Sequence, residues 1–228
     1  MSNNEEEMFN HNTKGSRHLN HLVEFWNLMA VKYDNLGLPY YANEVRGVSP
    51  YLKPDDVVLD LGCATGIFSM EIASHVKAVD GLDISPRMIE AAKRNAEING
   101  VRNVFFHEGT LCENDLSSRS FDKILAVDVM QYILKPDIAM NRVNSLLKPG
   151  GLFIQETVCM GQRLTTSFES IYKNCRKGVI PYMNFFTIKE LTALTKEAGF
   201  EILMHKELPN KNNCVYINVA MKISEKDW

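Results

Sequence analysis

From Val57 onward the chain alternates short strand-like runs with helix-length segments, and this alternation restricts the fold more than any other feature. The first run, Val57-Val58-Leu59-Asp60-Leu61, is almost wholly apolar and closes on Gly62. That is the pattern of a strand covered on both faces, not of one alternating between core and water. Further strands are expected over 78–83, 104–107, 123–127, 152–156, 200–205 and 215–222, with helices over 68–75, 86–99, 138–147 and 187–199. Local chemistry marks the helix ends. Ser85-Pro86 reads as a cap followed by proline at the first helical position, and Asn99-Gly100 as a stop. Thr187-Ile188-Lys189-Glu190 is a capping box. Strands alternating with helices predict an α/β fold: a doubly wound, mostly parallel seven-stranded sheet with helices on both faces.

Three segments stand outside the alternation. Residues 1–17 lack apolar periodicity and are expected to form a disordered tail ahead of a single domain over 18–228. Leu19, Leu22, Val23, Trp26, Ala30 and Tyr33 recur at helical spacing, so an N-terminal helical segment is expected within 18–45. Most of that face is expected to pack on the core, with Trp26 and Tyr33 as candidates for a lid. Residues 157–186 form an insertion carrying Phe168, Tyr172, Tyr182, Phe185 and Phe186, and it is expected to cap a pocket at the strand ends.

Composition then excludes several classes. A net charge of −3 over 228 residues leaves no basic excess to neutralise phosphates, so no nucleic-acid partner is expected. No apolar run approaches bilayer length, so no membrane span is expected. The polar, acidic start MSNNEEEMFNHNTKG is the opposite of a secretory or mitochondrial signal, and the five scattered cysteines read as reduced thiols; both point to a cytoplasmic protein. His18 and His21 lie one helical turn apart without an evident third ligand, so no metal site is expected.

In a doubly wound sheet the ligand lies at the carboxyl ends of the central strands, where strand order switches. There the sequence reads Asp60-Leu61-Gly62-Cys63-Ala64-Thr65-Gly66. Gly62 and Gly66 permit a sharp bend and close approach to a ligand, and the following helix aims its free N–H groups at the same space. A dinucleotide fingerprint starting at Gly62 needs glycine at 64 and 67, where the chain has Ala64 and Ile67. At the end of the second strand, Asp83 is placed to accept from both hydroxyls of a ribose. Its bland reading, a cap for the next helix, is already served by Ser85. Turn and carboxylate together point to an adenosine-containing ligand.

These residues resemble a known family. Val58 to Gly66, Gly81-Leu82-Asp83-Ile84-Ser85-Pro86, Phe121-Asp122 and Leu147-Lys148-Pro149-Gly150-Gly151 are similar, in order and spacing, to the motifs of class I S-adenosylmethionine-dependent methyltransferases. The similarity is greatest to the small-molecule branch that includes ubiquinone- and menaquinone-biosynthesis methyltransferases. The resemblance implies a Rossmann-like methyltransferase fold, S-adenosyl-L-methionine as cofactor with S-adenosyl-L-homocysteine as product, and a small-molecule acceptor offering an O, N or C nucleophile. It further implies that Asp60, Gly62, Cys63, Ala64 and Gly66 hold the methionine end and Asp83 the ribose. Ile84 and Met88 would cover the adenine, with Gly109, Thr110 and Leu111 at its edge. Asp128, Val129 and Met130 would line the methionine end, and Tyr33 would close over the cofactor.

Three departures bear on function. Ala64 stands where glycine is usual, Thr110 where an aspartate accepts from the adenine amine, and Gln131 where many relatives carry histidine. Gln131 and Tyr132 are the candidates for a catalytic role, and no residue stands out as a general base. Arg163, Lys173, Arg176 and Lys177 in the insertion are candidates to receive an acidic group on the substrate. The competing readings are a protein that binds S-adenosylmethionine or its product without turnover, a nucleotide-dependent oxidoreductase, and a nucleic-acid or protein methyltransferase. The glycine spacing disfavours the oxidoreductase. Asp128-Val129-Met130-Gln131-Tyr132, together with the acidic balance, disfavours the nucleic-acid or protein enzyme.

Overall fold

The structure, a computed structural model, describes residues 17–33, 47–113, 116, 120–209 and 214–223. The expected tail, apart from Arg17, and the expected lid beyond residue 33 lie outside the described residues. Residues 17–33 are helical (α1), so Arg17 belongs to the helix and not to a tail.

The expected alternation is present. The strands are β1 (Val57–Leu61), β2 (Ala78–Asp83), β3 (Val104–Glu108), β4 (Phe121–Val127), β5 (Leu147–Val158), β6 (Phe200–Pro209) and β7 (Cys214–Lys222). Between them come α2 (Ile67–Ala73), α3 (Pro86–Ile98), α4 (Pro136–Leu146), α5 (Thr166–Arg176) and α6 (Ile188–Glu197). The seven strands form one sheet in the order β3-β2-β1-β4-β5-β7-β6. β1 pairs in parallel with both β2 and β4, and only β7 runs antiparallel to its neighbours. Strand order therefore reverses between β1 and β4, which opens a crevice beyond their carboxyl ends.

Alternate strand residues feed two cores. Leu59, Ile124 and Ala126 join α4 and α6 on one face, while Val58 and Leu125 join α2 and α3 on the other. Ile72 of α2 and Leu125 of β4 are fully buried, each such side chain contributing about 1.5–3 kcal/mol over an exposed one. The helix starts follow the local chemistry. Ser85 Oγ accepts from Met88 N at 3.1 Å, and the capping box of Thr187 and Glu190 is complete. α4 starts two residues earlier than expected because Pro136, with its pre-set φ, takes the first position. β5 starts earlier too: Leu147 pairs with Phe121 across a register shift, so the Lys148-Pro149-Gly150-Gly151 segment is drawn into the strand instead of forming a separate loop. No helix among the described residues is long and apolar enough to cross a membrane.

Candidate functional site

The turn after β1 is strapped to β2. Leu82 O accepts from Gly62 N at 2.8 Å and from Cys63 N at 3.1 Å, and Asp83 Oδ2 accepts from Ala64 N at 3.1 Å. Asn95 of α3 donates to Thr65 O at 3.1 Å, fixing the far end. Gly62 and Gly66 both have φ of +78°, conformations that a side chain disfavours. A Cβ on Gly62 would meet Val129 Cγ2 at 2.7 Å, and one on Gly66 would meet Phe106 Cζ at 2.5 Å, so the packing of neighbouring side chains by itself requires glycine at both positions. Ala64 is also left-handed, at φ +47°, so its departure from glycine carries backbone strain.

Two carboxylates flank this turn. Asp60 is buried and accepts from Ser69 Oγ at 2.5 Å. Burial, reinforced by the charge of Asp83, pushes its pKa up to about 7 against the hydrogen bond from Ser69. Asp83 Oδ1 accepts from Ser85 N at 2.9 Å, and burial raises its pKa to about 6 despite the backbone N–H groups it accepts from. Two buried acids held this close to neutrality form a site that a cationic group would stabilise.

A cavity of about 420 Å³ opens at the carboxyl ends of β1, β2, β3 and β4. Its wall includes Tyr33, Gly62, Ala64, Asp83, Ile84, Met88, Gly109, Thr110, Leu111, Asp128 and Val129, all singled out in the sequence as cofactor-binding. A narrower cleft of about 40 Å³ shares Tyr33, Gly62, Ala64 and Asp128 with it and adds Asp60 and Cys63. Gly66 and Met130 line neither space. Gly66 caps α2, and the Met130 side chain is fully buried in the core. Thr110, at the position of the usual aspartate, donates through Oγ1 to Glu113 Oε2 at 2.9 Å, and both residues line the cavity.

α1 supplies more of the wall than its pattern suggested. Leu19 and Leu22, expected in the core, line the cavity together with Trp26 and Tyr33. Trp26 meets Tyr33 at 6.2 Å and Tyr132 at 5.3 Å between ring centroids, both edge to face. Asn27 fixes the helix: its Oδ1 accepts from Ser85 Oγ at 2.7 Å and from Arg87 N at 3.3 Å.

The two catalytic candidates separate. Tyr132 lines the cavity, and burial, followed by the nearby Asp128 charge, pushes its hydroxyl up to about 12. Gln131 is buried and absent from the wall; its Nε2 donates to Asp128 O at 2.9 Å, which holds the turn after β4. Asp128 itself sits at φ +52°, and its N–H donates to Glu156 O at 2.9 Å. The Cys63 thiol, buried beside Asp83 and Asp60, is pushed well above its usual range and stays protonated.

The insertion acts differently from a roof. No residue of 157–186 lines either space. It bears on the site through Asn184, whose N donates to Gln131 O at 2.6 Å and whose Nδ2 donates to Ile133 O at 2.6 Å. Tyr182 also meets His18 of α1 at 5.6 Å. Its aromatic residues largely satisfy one another: Phe168, Tyr172 and Phe185 pack together at 5.3–5.8 Å. Arg163, Lys173, Arg176 and Lys177 therefore stand away from the cavity wall. The lining residues that sequence reasoning did not name for the site are Leu19, Leu22, Leu61, Leu82, Cys112, Glu113, Val127, Ile133, Leu134, Lys135 and Ala139. Most lie within a few positions of ones it named, so a wider window past each strand end would have found them.

With this geometry in place, known proteins can be compared. A ubiquinone biosynthesis O-methyltransferase from Cereibacter sphaeroides is 30% identical over 151 residues, which is 63% of this chain and 60% of that protein. The chain thus spans about 60% of the length of that relative. Among solved structures, the Haemonchus contortus phosphoethanolamine N-methyltransferase 2, in complex with phosphomonomethylethanolamine and S-adenosylhomocysteine, is similar with a TM-score of 0.69 at 18% identity, over 82% of this chain and 53% of that one. Magnesium protoporphyrin IX methyltransferase from Synechocystis, with bound S-adenosylhomocysteine, gives 0.63 at 19% identity over 79% of this chain and 82% of that one. At those identities the two structures establish the shared fold. The sequence profile described as "Methyltransferase domain" matches residues 52–212, a span that contains the glycine turn, both carboxylates and the turn after β4, and the chain belongs to that family.

Proposed function

We propose that the chain is an S-adenosylmethionine-dependent methyltransferase that acts on an O, N or C nucleophile of a small molecule in the cytoplasm. One observation carries the reading: two buried carboxyls, raised to about 7 and about 6, flank a left-handed glycine turn at the mouth of a cavity of about 420 Å³. The cofactor carries a sulfonium, an ammonium and a ribose diol, so its charges and hydroxyls match what these acids lack. When bound, it supplies an electrophilic methyl carbon to the acceptor.

The chain's residues would divide the work. Asp60 and the 62–66 turn would take the amino-acid end, with Asp83 exchanging its backbone contacts for ribose hydroxyls. Ile84, Met88 and Leu111 would enclose the base. Glu113, held by Thr110 Oγ1, offers the carboxylate that the usual position lacks. Tyr33 and Trp26 on α1 would close the site over both reactants, and 157–186 would brace the turn after β4 from outside. Excluding water and aligning the two reactants supplies much of the rate in such a transfer. Cys63 is not poised as a nucleophile, since its buried thiol stays protonated. The small-molecule reading is supported by the cavity's size, about 420 Å³, and the absence of basic excess, and the cytoplasmic reading by five free thiols.

Calorimetric titration with S-adenosylmethionine, S-adenosylhomocysteine and NAD tests the cofactor, followed by methyl transfer to a panel of phenols, quinols and amines. Tight binding of the first two with NAD silent is expected, with a methylated product from one acceptor class. Silence from both sulfur ligands overturns the assignment. Binding without transfer to any acceptor would point to a sensor.

A further inference from the structure

The lining residues divide by element. Asp83, Glu113 and Asp128 lie in the segments that follow or end β2, β3 and β4, where the cofactor is assigned. α1 and the segment from Tyr132 to Ala139 contribute the apolar residues Leu19, Leu22, Trp26, Tyr132, Ile133 and Ala139. The same segment carries Lys135, the one lysine or arginine lining the cavity among the described residues. It forms no ion pair within 4 Å among those residues. Its backbone is fixed by the helix that it starts: Lys135 is the N-cap of α4, Pro136 follows, and Lys135 O accepts from Ala139 N at 3.1 Å. Lys135 is exposed, and a lysine can lay its methylene stem on apolar surface while its ammonium stays hydrated.

We propose that the part of the cavity lined by α1 and residues 132–139 is the acceptor subsite, and that it takes a flat aromatic molecule bearing a carboxylate, which Lys135 binds. The inference rests on the cofactor reading above, which assigns the residues at the strand ends to the cofactor. The wall decides the orientation. A carboxylate turned toward Asp83, Glu113 and Asp128 is repelled, whereas at Lys135 it is paired. The aromatic body then lies against the edge-to-face pair of Trp26 and Tyr132. The insertion's cations do not serve this purpose. Lys173 stands far out in solvent beside Glu169 at 3.7 Å, and none of the four lines the cavity.

The test uses 2-naphthoate and its neutral isostere 2-naphthamide, titrated into the full chain saturated with S-adenosylhomocysteine. Wild type is expected to bind the acid about tenfold more tightly than the amide, the scale of one partly hydrated charge-assisted contact. Lys135→Gln should remove that preference while leaving the amide and S-adenosylhomocysteine affinities unchanged, and Lys135→Arg should retain it. Lys173→Ala should leave every affinity as in wild type. Equal affinity for acid and amide in wild type, no binding of either, or a preference that survives Lys135→Gln would overturn the proposal while leaving the cofactor reading intact. Failure of S-adenosylhomocysteine to bind would overturn the cofactor reading, and the acceptor assignment with it.

Discussion

Ser85 Oγ donates to Asn27 Oδ1 at 2.7 Å while accepting from Met88 N at 3.1 Å, so one hydroxyl both caps α3 and ties α1 across the cavity. The tie joins the aromatic wall to the turn that carries Asp83. Asn27→Ala should therefore loosen α1 and leave α3 intact, weakening S-adenosylhomocysteine binding about fivefold, the scale of a single hydrogen bond. Ser85→Ala should do the same and also destabilise the fold by about 1 kcal/mol through loss of the cap. Calorimetry and urea unfolding of the two variants separate the effects. An Asn27→Ala protein that binds as wild type would show that α1 closes the site without this contact.

The two raised carboxyls fix the sign of a pH effect. Asp60 and Asp83 bind protons more tightly folded than unfolded, with folded values of about 7 and about 6 against 3.8. Their contribution to stability is fully present below 3.8 and is lost as pH rises through about 6 and then about 7. A cationic ligand reverses this, because it favours the ionised pair. The free protein should thus lose melting temperature between pH 5 and pH 8 by these groups, while affinity for S-adenosylmethionine rises over roughly the same window. Asp60→Asn should flatten both curves, raising the melting temperature of the free protein at pH 8 and weakening the ligand. Parallel melting curves for wild type and Asp60→Asn across that range would assign the pH dependence to other groups.

The part of the site written on strand ends was legible because β1, β2 and β4 announce themselves as apolar runs. Asp60, Asp83 and Asp128 could be placed by counting from those runs. Side-chain direction within the following turns was not legible. Met130 and Gln131 turn into the protein while Val129 and Tyr132 face the cavity, a choice made by the one-turn helix Met130–Tyr132. The wall contributed by α1 was beyond reach for a different reason. Leu19 and Leu22 show the same spacing whether the helix covers a packed core or a cavity, and long-range contacts such as that of Asn27 with Ser85, 58 residues away, decide which. The role of 157–186 was misread on composition, since Phe168, Tyr172 and Phe185 pack on each other and not on the cavity.

Within the glycine turn, two opposite substitutions should have opposite signs. Ala64 holds φ +47°, and glycine there relieves a left-handed penalty of about 1–2 kcal/mol, less about 0.4–1 kcal/mol for the freer unfolded chain. Ala64→Gly should stabilise the protein by up to about 1.6 kcal/mol on those terms. Gly62→Ala adds a Cβ at 2.7 Å from Val129 Cγ2 on a backbone at φ +78°, and should cost about 2 kcal/mol or more. Chemical denaturation of both variants checks the pair. A destabilised Ala64→Gly protein would mean that the alanine methyl makes contacts outweighing its strain.

Tyr132 faces the acceptor end of the cavity yet is poorly suited to proton abstraction. Burial, then the charge of Asp128, pushes its hydroxyl up to about 12, so it stays protonated across the range in which the fold is stable. Its ring instead meets Trp26 edge to face at 5.3 Å, a contact that phenylalanine would keep. Tyr132→Phe should therefore hold methyl transfer within about tenfold of wild type, whereas removing a true general base costs roughly 10²–10⁴-fold. Tyr132→Ala should be more damaging, because it opens the aromatic wall and frees Trp26. Single-turnover measurements with the acceptor found in the screen would separate the two outcomes. A loss of a hundredfold or more in the phenylalanine variant, without a change in acceptor affinity, would place the phenol in the chemical step and require Asp128 to act as a partner holding its proton instead of a charge that merely raises its pKa.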